Sequence, residues 1–216
     1  MRYKYVLFDL DGTLTDPYEG ITKSFQYALE AFGINAKQSE LLRVIGPPLI
    51  DSFRDFYGFD DETAAYAVAK YRERFAVIGW KENRLLDGVS DMLSAIKGSG
   101  AAVVLATAKP RVFAEKIINE YDIAKYFDIV VGAELDGSIN TKTEVIAAAL
   151  KKLNNPPLSD VIMVGDRRND VDGAEKCGIE CIGVKVGYAE ENELEEAGAT
   201  FIIDTIEELK EFLLGD

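Results

Sequence analysis

The chain has 216 residues, 48% hydrophobic and 29% charged, which is the composition of a soluble globular protein able to bury a substantial core as one domain or two unequal ones. Its net charge of −14 repels nucleic acid and anionic membrane, so neither is expected as a partner, although a few cations or a metal can still dominate the field inside one cleft. It contains no histidine and only two cysteines, Cys177 and Cys181, which removes Ser-His-Asp and Cys-His catalysis and leaves acid–base work to carboxylates, lysine, tyrosine or metal-bound water.

The cysteines read as small buried hydrophobes, one at a helix end before Gly178 and one opening an apolar run. Arg2 and Lys4 precede an apolar run that stops at Asp9, too short for a secretory signal, and no run approaches a membrane span. A cytoplasmic protein in a reducing compartment is expected.

The first element is Tyr5-Val6-Leu7-Phe8, an unbroken apolar run that ends in Asp9-Leu10-Asp11-Gly12-Thr13. Such a run closed by a glycine turn predicts a strand buried on both faces, as in a parallel sheet, with Asp9 at its carboxyl end. An acidic turn is ordinary for Asp11-Gly12. Asp9 is different, because a carboxylate between Phe8 and Leu10 costs several kcal/mol unless a cation or donors compensate.

Helical periodicity follows. Ile21, Phe25, Ala28, Leu29 and Phe32 predict a helix over 20–32, stopped by Gly33. A second helix is predicted from Pro48 and a third over 61–80, with Tyr71, Phe75 and Ile78 on one side. From Leu86 the chain alternates, with a helix opened by Asp87-Gly88 and directing Val89, Met92, Leu93 and Ile96 inward, then a strand at 101–106. Pro110 suits the first turn of the next helix, which carries Val112, Phe113, Ile117 and Ile118. Strands at 128–132, 161–165, 181–184 and 201–203 are separated by helices at 143–153 and 170–177, and a last helix covers 206–213. The prediction is an α/β protein with a doubly wound parallel-sheet core at 1–15 and 84–216, and a small all-helical cap domain at 16–83 inserted after the first strand.

Such a sheet brings its strand carboxyl ends to one edge. That edge collects Asp9 and Asp11, then Thr107-Ala108-Lys109-Pro110, then Gly165-Asp166-Arg167-Arg168-Asn169-Asp170, while Thr141-Lys142-Thr143 opens a helix between them. Crowded carboxylates bind a divalent cation or carry raised pKa values, and an oxygen-only ligand set favours Mg²⁺. Thr107 and Lys142 are donors for an anion beside that metal. Metal, anion pocket and exposed aspartate together describe phosphoryl transfer through an aspartyl-phosphate. Taken singly, Thr107 reads as a helix N-cap, Lys142 as a surface lysine and Asp170 as a helix N-terminal charge. The joint occurrence of these residues in this order is what ordinary local roles do not explain.

Asp9-Leu10-Asp11-Gly12-Thr13, Thr107, Lys142 and Gly165-Asp166…Asp170 resemble the four motifs of the haloacid dehalogenase-like (HAD) hydrolase superfamily, over essentially the whole chain. The resemblance implies that Asp9 is the nucleophile and that Asp11 protonates the leaving oxygen and later takes a proton from water. It implies that Thr107 and Lys142 hold the phosphoryl oxygens. It also implies that Mg²⁺ binds Asp9, the Asp11 carbonyl and Asp166, with Asp170 orienting its waters. Members that break carbon–halogen bonds lack an acid at the position of Asp11, which argues against that chemistry. Lys109 also competes for the phosphate-clamping role or lines the substrate entrance; the motif order favours Lys142.

In the inserted block, Arg43 and Ile45-Gly46-Pro47-Pro48-Leu49 are candidates for presenting backbone and a guanidinium to substrate, or for a stiff helix connection. With Thr107-Ala108-Lys109-Pro110 and Val186-Gly187-Tyr188, this stretch is similar to the phosphoglycolate phosphatase-like branch, which includes nucleotidases. The expected activity is a Mg²⁺-dependent phosphomonoester hydrolase on a small phosphorylated metabolite. A sugar-phosphate mutase or pyrophosphatase on the same core, or a non-catalytic phospho-accepting regulator, are the alternatives. The sequence specifies neither a monomer nor a homodimer.

Overall fold

The computed structural model describes residues 2–215. The chain divides at 16/17 and 84/85 into a core (1–16 and 85–216) and an inserted helical unit (17–84), one residue beyond each expected boundary.

The core is built on six parallel strands: β1 (Tyr5–Phe8), β4 (Ala102–Pro110), β5 (Ile129–Ala133), β6 (Val161–Gly165), β7 (Glu180–Val184) and β8 (Phe201–Ile203). Two-residue strands β2 (Thr15–Asp16) and β3 (Arg84–Leu85) pair where the chain leaves and re-enters the core. The large sheet has the order β5-β4-β1-β6-β7-β8. Strand order reverses at β1, so the crevice beyond its carboxyl end is where an open α/β sheet places a ligand. Register there is tight: Phe8 stands opposite Leu105 of β4 and Val164 of β6.

Both faces of the sheet are covered. Leu7, Val104, Ala106, Val131, Val161 and Met163 form one cluster with Val145, Ile146 and Ala149 of α6 (Lys142–Lys152) and Val171 and Ala174 of α7 (Arg168–Lys176). The alternate residues Val6, Phe8, Val103, Leu105, Ile162 and Val164 are equally buried and point the other way. Two further helices, α4 (Val89–Gly98) and α9 (Ile206–Leu214), pack on each other; Met92, Leu93, Leu209 and Leu213 are fully buried. A short helix α8 (Glu193–Ala197), absent from the sequence reading, follows β7.

In the helical unit, α1 (Tyr18–Glu30), α2 (Leu49–Tyr57) and α3 (Asp61–Phe75) surround an aromatic centre in which Phe25 and Phe53 stack at 4.1 Å. The third helix ends at Phe75, five residues before the predicted end, and Ile78 is exposed instead of buried. The cause is a backbone contact: a Cβ on Gly20 would lie 2.0 Å from the Gly79 carbonyl oxygen, and the chain turns out of the helix to make it.

Two expectations in the core also change. β4 continues to Pro110 through an irregular register between Thr107 and Pro110, and α5 begins at Arg111 (Arg111–Glu120). Gly132 of β5 permits this, since a Cβ there would meet Arg111 Cα at 2.7 Å. Pro110 therefore precedes the helix, and Val112 on its first turn is exposed. No helix among the described residues is long and apolar enough to cross a membrane.

Candidate active site

After β1 the chain makes a tight turn in which the N–H groups of Thr13, Leu14 and Thr15 all reach Leu10 O, at 3.3, 2.9 and 3.0 Å. Gly12 supplies the left-handed residue (φ 83°) that this turn requires. It also leaves space, because a Cβ on Gly12 would lie 2.1 Å from Asp166 Oδ2. The turn thus packs against the end of β6 and leaves Asp9, whose N–H donates to Val164 O (2.9 Å), at the sheet edge.

Asp9, Asp166 and Asp170 are all buried, and one carboxylate oxygen from each lies within 4.8 Å of the others. Asp166 is held by Thr13 Oγ1, which donates to Oδ1 (3.1 Å), and by the Tyr188 N–H, which donates to Oδ2 (2.8 Å). Asp170 sits in the first turn of α7, where its Oδ2 accepts from the Arg167 N–H (3.1 Å). Gly165 makes room for it, since a Cβ there would meet Asp170 Cγ at 2.1 Å.

Lys142 opens α6 behind a Thr141–Glu144 capping box. Its Nζ donates to Ala106 O (3.1 Å) and lies 2.8 Å from Asp9 Oδ1 and 2.7 Å from Asp170 Oδ1. By geometry Asp9 Oδ1 and Asp170 Oδ1 have this ammonium close by but no aligned donor, and Asp11 Oδ1 is likewise buried without one. Gly173 of α7 leaves space for the lysine stem; a Cβ there would approach Lys142 Cγ to 2.8 Å.

Thr107 is buried within β4 and is no helix cap; its Oγ1 accepts from the Lys109 N–H (3.1 Å) across half-buried Ala108. The same irregular stretch turns the Lys109 side chain inward, where Nζ contacts Asp11 Oδ2 at 2.6 Å with both side chains largely buried. The two candidate lysines therefore have different partners. Lys142 belongs to Asp9 and Asp170, and Lys109 belongs to Asp11. Arg43 and Gly46 lie in the helical unit, where the Arg43 guanidinium stands 4.4 Å from the centre of the Phe56 ring and Gly46 turns the chain at φ 105°.

The electrostatics follow from burial. Desolvation raises the Asp166 carboxyl well above its ordinary value, and the neighbouring Asp170 and Asp9 push it the same way. Asp170 and Asp11 are also raised by desolvation, with Lys142 and Lys109 respectively opposing. For Lys142, burial alone favours the neutral amine, but Asp170 and Asp9 outweigh it and keep the ammonium charged. Negative charge is thus undercompensated around Asp9, Asp166 and Asp170. Together with the buried oxygens lacking aligned donors, this all-oxygen set fits a hard divalent cation such as Mg²⁺. Asp11, expected to offer its backbone carbonyl, contributes no carboxylate to the cluster.

Gly187 and Tyr188 are site-building residues that sequence reasoning noticed only as part of a resemblance, and Thr13 only as part of a motif. The glycine signals were present at Gly165 and Gly187, but the atoms they make room for lie elsewhere in the chain.

A sequence model of the haloacid dehalogenase-like hydrolase family matches residues 6–184. A 5'-nucleotidase of Pseudomonas aeruginosa is 45% identical over 195 residues, 90% of this chain and 88% of that protein. The tyrosine-protein kinase PtkA of Mycobacterium tuberculosis is 36% identical over 211 residues, 96% of this chain and 72% of that one. The crystal structure of a "predicted phosphatase" from Clostridium acetobutylicum superposes with a TM-score of 0.95 at 46% identity, covering 99% of each chain. The chain belongs to the haloacid dehalogenase-like hydrolase family and is an enzyme of its phosphatase type.

Proposed function

We propose that this enzyme is a Mg²⁺-dependent phosphomonoester hydrolase that works in the cytoplasm, through an aspartyl-phosphate on Asp9, on a small phosphorylated metabolite. The observation that carries this reading is the meeting of buried Asp9, Asp166 and Asp170, one carboxylate oxygen of each within 4.8 Å of the others, with Lys142 held between two of them.

In this reading an oxygen of Asp9 attacks phosphorus, the bond from phosphorus to the leaving oxygen breaks, and that oxygen takes the proton of Asp11. Burial favours the protonated form of Asp11, as a general acid requires. Water then attacks the aspartyl-phosphate and gives a proton back to Asp11, so inorganic phosphate leaves and Asp9 returns to a carboxylate. Thr107 and Lys142 hold the phosphoryl oxygens, and Lys142 also lies 2.8 Å from the nucleophile's Oδ1. Bound by Asp9, Asp166 and the Asp11 carbonyl, with Asp170 beside it, Mg²⁺ would neutralise the charge gathered by carboxylates and phosphoryl group. Lys109, on the Asp11 side, and Ala108 face the leaving group. Arg43 and Gly46, in the helical unit, are the residues we assign to substrate selection.

Nucleoside monophosphates and phosphoglycolate are the favoured substrates, the first supported by the 5'-nucleotidase relative. The test is phosphate release from these two, from sugar phosphates and from pyrophosphate, with Mg²⁺ and with chelator. Turnover that needs the metal and falls by about 10³-fold or more in Asp9→Asn is expected. Folded protein that releases phosphate from none of them, or an Asp9→Asn variant that keeps its rate, would remove this reading.

A further inference from the structure

The loop after β7 contributes to the site through both ends of one residue. Past Lys185, whose N–H reaches Ile203 O of β8 (2.9 Å), the chain leaves the sheet and crosses over the β1 turn. The crossing is close: a Cβ on Gly187 would lie 2.1 Å from Asp166 Oδ2 and 2.3 Å from Gly12 O. The next residue, Tyr188, donates its backbone N–H to Asp166 Oδ2 (2.8 Å) and its phenol O–H to Asp16 Oδ1. Asp16 ends β2 and is the last core residue before the chain crosses into the helical unit.

We infer that Tyr188 is a positioning residue, whose phenol, anchored on Asp16, holds its own backbone N–H against Asp166 and so keeps that carboxylate turned toward Asp9 and Asp170. The inference rests on the reading of these aspartates as cation ligands. Each carboxylate oxygen of Asp166 has one donor, Thr13 on one side and Tyr188 on the other. The Thr13 donor is fixed by the β1 turn. The Tyr188 donor sits on a loop outside the sheet, so its position depends on what the side chain grips. Removing the phenol oxygen leaves the ring in place but frees the loop, and Asp166 loses a directed bond that orients it. A partner that orients a metal ligand is worth about 10–100-fold in metal affinity, and an indirect one falls at the low end.

The experiment is calorimetric titration of the full chain with Mg²⁺, without substrate, on wild type, Tyr188→Phe, Asp16→Ala, Asp16→Asn, the Tyr188→Phe/Asp16→Ala double variant and Asp166→Asn. Thermal unfolding in chelator is measured for each. Tyr188→Phe and Asp16→Ala are each expected to bind Mg²⁺ about tenfold more weakly while unfolding near the wild-type temperature. Asp16→Asn keeps an acceptor oxygen and is expected to bind within about twofold of wild type, and the double variant no more weakly than the singles. Mg²⁺ affinity unchanged in Tyr188→Phe, with binding lost in Asp166→Asn, would overturn the inference and leave the cation site standing. Losses that multiply in the double variant would overturn it equally. No Mg²⁺ binding by wild type, or the same binding in Asp166→Asn, would overturn the site reading and this inference with it.

Discussion

The two units of the chain bury different things. Among the described residues, the buried charged side chains Asp9, Lys109, Lys142, Asp166, Asp170 and Glu193 all belong to the core. The buried polar side chains of the helical unit are hydroxyls, those of Thr22, Ser24 and Ser52. Its centre is aromatic, with Phe25 stacked on Phe53 and Phe59 parallel to Phe53 at 6.0 Å. Arg54 meets Asp51 and Asp61 at its surface, and the Arg74–Glu82 pair is only partly buried. Burying an ion costs several kcal/mol, and an unbalanced cluster of carboxylates costs more. The core accepts that cost at one edge of the sheet, where five of its six buried charges meet; Glu193 instead accepts bonds from Arg167 and Arg168 at the start of α7. Stability and chemistry are therefore separable: apolar packing holds the helical unit, and the strained charges are confined to the site.

This separation can be broken most severely from the helical side. Phe53→Ala empties the middle of the aromatic stack and is expected to cost about 3–5 kcal/mol of stability. Chemical denaturation should record that loss, while Mg²⁺ affinity in the folded fraction stays within about twofold of wild type. A parallel loss of metal affinity would mean that the two units are not independent in this sense.

A smaller effect sharpens the core side. Asp11, Asp166 and Asp170 have raised folded-state values, so the native protein keeps protons that the unfolded chain has already released. Their contribution to stability is complete below the ordinary carboxylate range of about 4 and is lost as pH rises through the folded values, about 6 for Asp170. In chelator, stability should therefore fall from pH 4.5 to pH 7.5, by an amount on the order of 2 kcal/mol, and saturating Mg²⁺ should reverse much of the fall. Denaturant midpoints measured across this range with and without metal provide the check.

The smallest effect belongs to the surface. Arg54→Ala removes two exposed ion pairs, one to Asp51 within α2 and one to Asp61 at the start of α3, and it should leave the unfolding midpoint where it was.

Much of the core was legible because its signals are local. The strand at Val161–Gly165 and the strand at Phe201–Ile203 fall where apolar runs between turn signals predict them. Asp9, Asp166 and Asp170 meet because strand ends must share an edge. What could not be read depends on contacts distant in sequence. The end of α3 at Phe75 is set by Gly20 against Gly79, and the extension of β4 by Gly132 against Arg111. The pairing of Lys109 with Asp11 spans 98 positions, and that of Tyr188 with Asp16 spans 172. A glycine announces that something approaches closely but does not say what.

The sheet order carries a consequence for assembly. β1 is the first strand of the chain and a central one, with β4 on one edge and β6 on the other. Thr13 and its partner Asp166 stand 153 positions apart. Until Val161–Gly165 has been synthesised, β1 has an open apolar edge and Asp9 has neither Asp166 nor Asp170 beside it, so nascent chains in that window are the ones most exposed to mispairing and to chaperone capture.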